Sequence, residues 1–198
     1  MARWLEVAFH ETDGTPRARL QRWSGDLALS AAGTAGPDDL VLLRGAARRL
    51  AEAAPRRRPR LEYRPTSFVV RYLPPVVAAG PGRGPEPRVE ADCPADAAGH
   101  IRRAEVRVPT GDWIPQARRD DLALEGLLTC LGLAGRLPPG RGEYESVLAA
   151  EPNWGDVRLT GGDLLTLSVH FDPALAPGLT PPEALAALGL EAPAGAVR

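Results

Sequence analysis

Residues 116–133 place the strongest demand on the fold. Leu124, Leu127, Leu128 and Leu131 recur at i, i+3, i+4 and i+7, the core stripe of an amphipathic helix. Such a stripe has to be covered by other elements. Glu125 and Thr129 are four residues apart and share a different face of the same helix. Gly132 stands three residues past Thr129, one turn on, where the helix can stop.

The remaining pattern supplies the cover. Residues 3–11 are expected to form a short helix with Leu5, Ala8 and Phe9 on one side. "RARLQRWSGDLALSAAG" reads as extended chain ending at Gly33. A helix follows from Pro37, with acids in its first turn and Leu40, Leu43, Ala47 and Leu50 on one face. "TSFVVRYLP" is a strand of β-branched and aromatic residues closed by Pro74. Ten of the 26 residues from Pro74 to Gly99 are Pro or Gly, so a mobile loop is expected there. "HIRRAEVRVP" alternates Ala104, Val106 and Val108 with Arg103, Glu105 and Arg107, which suits an edge or half-covered strand. Asp163 lies in the first turn of a helix that ends at Asp172-Pro173. Thr180 and Glu183 cap a last short helix. The expected class is α+β in a single domain, with a small three-layer α/β arrangement as the other option.

Composition excludes several roles. The chain has 198 residues, 44% of them apolar, enough for one domain with a proper core. A net charge of −1 gives no global field for nucleic acid. All 24 basic residues are Arg, and "PRRRPR" from Pro55 to Arg60 is most simply a solvated loop. No run of about 18 apolar residues could span a membrane. The N-terminal stretch does not read as a secretory signal, which leaves a cytoplasmic protein or the mature form of an exported one. Cys93 and Cys130 could form one disulfide or stay as buried thiols, the thiol form being slightly preferred. No cofactor is expected. "GPGRGPEP" has spaced glycines but no strand-to-helix context for phosphate. His10, His100 and His170 fall in three separate elements and do not read as a metal triad. Ser146 has no nucleophile-elbow pattern around it.

The helix that carries Glu125 shares its skeleton with the site helix of zinc proteases. There, two His at i and i+4 bind zinc and the Glu after the first His activates water. In the extended form a Gly follows, and then a third His. Anchored on Gly132, the three ligand positions are Glu125, Thr129 and Gly135, and the general-base position is Gly126. One carboxylate cannot hold a catalytic zinc, and glycine cannot abstract a proton.

Motifs on either side strengthen the likeness. Leu131-Gly132-Leu133, Ser146-Val147-Leu148, Leu159-Thr160 with Asp163, Phe171-Asp172-Pro173 and Pro177-Gly178-Leu179 occur in that order. In this the chain resembles domain-of-unknown-function family 2927, bacterial proteins that look like zincin metalloproteases without the metal. Arg22-Trp23 is similar to the family's Arg-Trp strand. Family members usually keep a second Glu and a Gln where this chain has Gly126 and Thr129.

The resemblance implies a zincin-like fold with a small twisted sheet over a degenerate site helix. It implies a relic cleft around Glu125, Thr129, Gly132 and Asp163, without metal or catalytic residues. The expected role is a protein- or peptide-binding or accessory module. An extended peptide would dock along an edge strand, with Arg103, Glu105 and Arg107 in contact. A hydrolase working through Glu125 is the alternative.

Overall fold

The sheet is built by short strands whose alternate residues are large and apolar. A computed structural model describes residues 1–74, 87–138, 145–149 and 157–190. Strands β1 (Arg22–Trp23) and β6 (His100–Ile101) form a parallel pair. The main sheet contains β2 (Ala28–Gly33), β3 (Arg60–Glu62), β4 (Phe68–Leu73), β5 (Glu90–Asp92) and β7 (Ala104–Pro109). Its order is β3-β2-β4-β7-β5; the first four strands are parallel and β5 runs antiparallel to β7. Among the described residues five α-helices complete the fold: α1 (Ala2–Ala8), α2 (Pro37–Ala53), α3 (Gln116–Leu131), α4 (Gly161–His170) and α5 (Pro181–Ala187). The mixed α and β class expected from the sequence is present.

The two central strands are two-faced. Phe68, Val70 and Tyr72 of β4 and Ala104, Val106 and Val108 of β7 are buried on the helix side. Their alternates, including Arg71, Glu105 and Arg107, are partly exposed on the other. Glu105 there accepts from Arg71 at 3.1 Å and from Arg107 at 2.9 Å. A mostly parallel sheet is usually covered on both faces, so this half-open one depends on a charged surface ladder.

Helix α3 lies under β7 and β5 and comes unusually near. A methyl group on Gly126 would overlap Val106 and stand 2.9 Å from Val89. Four residues on, Cys130 is disulfide-bonded to Cys93, with the Cα atoms 5.3 Å apart. The thiol form is therefore corrected: the edge of the sheet is stapled to the helix. At its end α3 turns through Gly132 at φ 106°, and Leu133 N–H reaches back to Leu128 O at 3.0 Å. Only glycine tolerates that conformation cheaply.

Three expectations are corrected. The segment 100–108 is neither one strand nor an edge, because β7 is flanked by β4 and β5 and its alternation reflects one open sheet face. The edge strand on this side is β5, which falls inside the stretch expected to be a loop; β3 forms the opposite edge. Residues 75–86 of that stretch lie outside the described residues, so its expected mobility is not addressed. In α1, Trp4, Val7 and Ala8 turn inward, whereas Leu5 is only partly buried.

The disulfide closes a separation of 37 residues. Loop-closure entropy assigns such a link about 4 kcal/mol. The Cys93→Ala/Cys130→Ala double variant is expected to lose roughly that much in urea titration, with helical circular dichroism retained below the transition.

Candidate functional site

On α3 the spacing that puts Gly126 and Cys130 against the sheet turns Glu125 and Thr129 to its flank, where both are partly exposed. Beyond the helix, Gly135 passes so close to α1 that a side chain would overlap Glu6 O, and its N–H bonds Val7 O at 3.0 Å. This turn delivers Arg136 back to α3. Its Nη2 donates to Glu125 Oε1 and its Nη1 donates to Val147 O at 2.9 Å. A guanidinium thus stands beside the first of the three ligand positions and ties it to the segment that carries Ser146-Val147-Leu148. The arrangement does not fit zinc. Glu125 is the one ligating side chain among Glu125, Thr129 and Gly135, and it is already ion-paired. Among the described residues no three His, Cys, Asp or Glu side chains converge on a metal position.

Asp163 is placed differently from expectation. It does not line a cleft with Glu125 but is fully buried at the start of α4. Its Oδ1 accepts from Arg3 at 2.5 Å and from Ser146 Oγ at 2.6 Å. Its Oδ2 accepts from Thr160 N at 2.9 Å and Thr160 Oγ1 at 3.0 Å. Ser146 also accepts from Leu148 N at 3.1 Å. The cluster joins α1, residues 146–148 and α4, and both carboxylate oxygens are engaged. It braces the fold and offers no free oxygen for chemistry. Thr160 and Asp163 additionally form a capping box, with Asp163 N donating to Thr160 Oγ1 at 3.2 Å.

The proposed peptide contacts also change place. Glu105 and Arg107 lie on the inner strand β7, and Arg103 lies exposed in the link that precedes it. Arg103 sits 3.8 Å from Asp92 and Arg107 sits 3.5 Å from Glu90, so both face the charged side chains of β5. Gly132 serves as the helix stop. Two cavities of about 560 and 480 Å³ open elsewhere, the first between α2 and α3 near Asp120 and Leu124, the second at Thr34, Thr110 and Arg119. Neither is lined by Glu125, Thr129 or Asp163.

The histidines stay apart. His100 Nδ1 lies 2.6 Å from Ser24 Oγ, and His10 Nδ1 lies 2.9 Å from Glu6 O. His170 is fully buried, with Nδ1 facing Trp4 Nε1 at 3.4 Å and Nε2 facing Leu131 O at 3.0 Å. Both nitrogens are satisfied when Nε2 carries the proton. Burial, with Arg22 next, pushes its pKa down to about 3.

Sequence reasoning missed the partners rather than the positions. Arg136 and Arg3 carry no local pattern that would announce them, whereas the Cys93–Cys130 link was one of the two options the cysteine count left open. No protein-family model, curated protein or solved structure matches the chain.

Two outcomes follow from this geometry. Gly126→Glu, which would place a carboxylate where zinc proteases carry their base, meets Val106 and Val89 and is expected to cost about 1–3 kcal/mol or more of stability in chemical denaturation. His170 is neutral when folded, and its unfolded pKa is near 6.5, so its contribution is complete above that pH. It is lost as pH falls from about 6.5 towards about 3. Urea midpoints at pH 7.5 and pH 5 are expected to differ less for His170→Gln than for the wild-type chain.

Proposed function

We propose that this chain is a metal-free, zincin-like binding module that takes an extended peptide along the free edge of β5. The observation that carries this reading is the stapled edge. Among the described residues β5 ends the sheet antiparallel, its three residues are exposed, and Cys93–Cys130 holds it over α3. Zincin-like folds receive an extended peptide along an edge strand above the site helix, which is β-augmentation. Main-chain groups on such an edge supply affinity for a segment of almost any sequence.

The same reading makes the module non-catalytic. Glu125 is bound to Arg136, Gly126 is packed against Val106 and Val89, and Thr129 and Gly135 bring no ligand. The alternative of a hydrolase working through Glu125 would first have to remove the guanidinium from its carboxylate.

The test selects binders from a displayed library of unstructured peptides and maps them by hydrogen exchange. Bound peptide is expected to slow exchange at residues 90–92, and the Cys93→Ala/Cys130→Ala variant is expected to bind several-fold more weakly. Peptides that protect some other surface would sink edge docking. Stoichiometric tight zinc, or peptide turnover when zinc is supplied, would sink the non-catalytic part.

A further inference from the structure

Arg22 and Arg57 both direct their guanidinium groups at the ring of Phe171, at 5.4 and 5.7 Å from its centroid. Arg22 is 2% exposed, and its Nε has no hydrogen-bond partner. Its Nη1 donates to the carbonyl oxygens of Asp172, at 3.1 Å, and Leu175. Those bonds satisfy geometry but bring no negative charge. Among the described residues no carboxylate lies in ion-pair contact with either guanidinium. Asp26 near Arg57 is paired with Arg60 at 3.5 Å, and Asp172 uses Oδ1 on Ala174 N at 2.8 Å.

Two cations crowding one ring with no carboxylate in direct contact are costly in a partly dry setting, and Asp172 and Asp26 offset them only from a distance. Burial, and then the field of Arg57, pull Arg22 down to about 10. It therefore stays charged at neutral pH, and the excess positive charge remains. Arg57 belongs to the basic stretch Pro55–Arg60, whose last residue opens β3 and whose backbone bonds Leu27. Its neighbours Arg56 and Arg58 are exposed, and Arg58 holds a left-handed φ of 47°.

We propose that Arg57, with Arg22 behind it and Arg56 and Arg58 flanking it in sequence, is a binding site for a dianionic phosphoryl group. A guanidinium fork matches phosphate oxygens in pairs, and two clustered guanidiniums with exposed Arg56 and Arg58 beside them suit a double negative charge. The group could belong to a free phosphorylated molecule or to a phospholipid headgroup, since both present the same oxygens. The site is independent of peptide docking at β5.

The test is thermal unfolding of the full chain in chloride and in inorganic phosphate at matched pH and ionic strength. Sedimentation with phosphatidylcholine vesicles, with and without phosphatidic acid, runs alongside. Wild-type protein is expected to gain roughly 5 °C in saturating phosphate if the ligand is free in solution. It is expected instead to co-sediment only with the acidic vesicles if the ligand is a headgroup. Arg57→Gln is expected to lose the response, yet to unfold in chloride no earlier than the wild type, because like-charge repulsion is relieved. Arg60→Gln, which removes an Arg already paired with Asp26 and Glu62, is expected to keep the response. No gain over chloride together with no vesicle binding would overturn the proposal. So would an undiminished response in Arg57→Gln.

Discussion

The close seat of α3 beneath the sheet governs the rest of the molecule. At Gly126 the helix has no side chain, and Val106 and Val89 occupy the space that one would take. Contact at this distance sets both the height and the rotation of α3. Leu122, Leu127 and Leu131 are then fully buried, and Cys130 meets Cys93. Glu125 and Thr129 are left at the flank by the same rotation. Interiors packed at crystal-like density transmit such a constraint, because no neighbour can shift without disturbing another.

The C-terminal half is tied to this seat by polar links that pair sequence motifs. Ser146 and Thr160 meet on Asp163, and Arg3 brings α1 to the same carboxylate. Arg22, from the Arg-Trp strand, reaches the carbonyls that follow Phe171. Each motif pair far apart in the chain is thus one hydrogen-bonded junction in space. Burying these groups stabilises the fold only while every partner is present, since a single loss leaves a charge or a donor stranded.

What the sequence made legible was whatever local chemistry decides. The starts of α2, α4 and α5 are written in Pro37, in Thr160 with Asp163 and in Thr180 with Glu183, and the stop of α3 in Gly132. Alternation in β7 marks its buried face, and β-branched and aromatic residues mark β4 as a strand. Pairing partners were not legible, because strand order depends on which edges meet after collapse. The apolar-polar alternation of Ala104–Pro109 is the same for an edge strand and for an inner strand with one open face. Strand β5 hid in a stretch rich in Pro and Gly, where Glu90, Ala91 and Asp92 have little strand propensity and are ordered by pairing with β7. Asp163 was placed on the right helix but on the wrong surface, since an acid in a first turn gives no hint that Arg3 and Ser146 will cover it. For the candidate site, the positions were readable and their partners were not.

The partners decide how far the fold is from chemistry. A metal site needs ligands that are free to bind, a base that faces the metal, and room for water. Here the carboxylate at the first ligand position neutralises Arg136, and that guanidinium also holds Val147 O. Gly126, where a zinc protease helix would carry its base, is a packing contact between α3 and the sheet. Building such a centre here would therefore mean undoing a salt bridge that joins two parts of the chain and widening a close contact between α3 and the sheet. Both changes act against stability before any activity could appear. An exposed edge strand asks for neither, because its main-chain donors and acceptors need no change to meet a partner. On the proposed reading, the features that closed the old chemistry are those that hold β5 rigid, and rigidity is what an edge must supply to bind an extended chain without a large entropic loss.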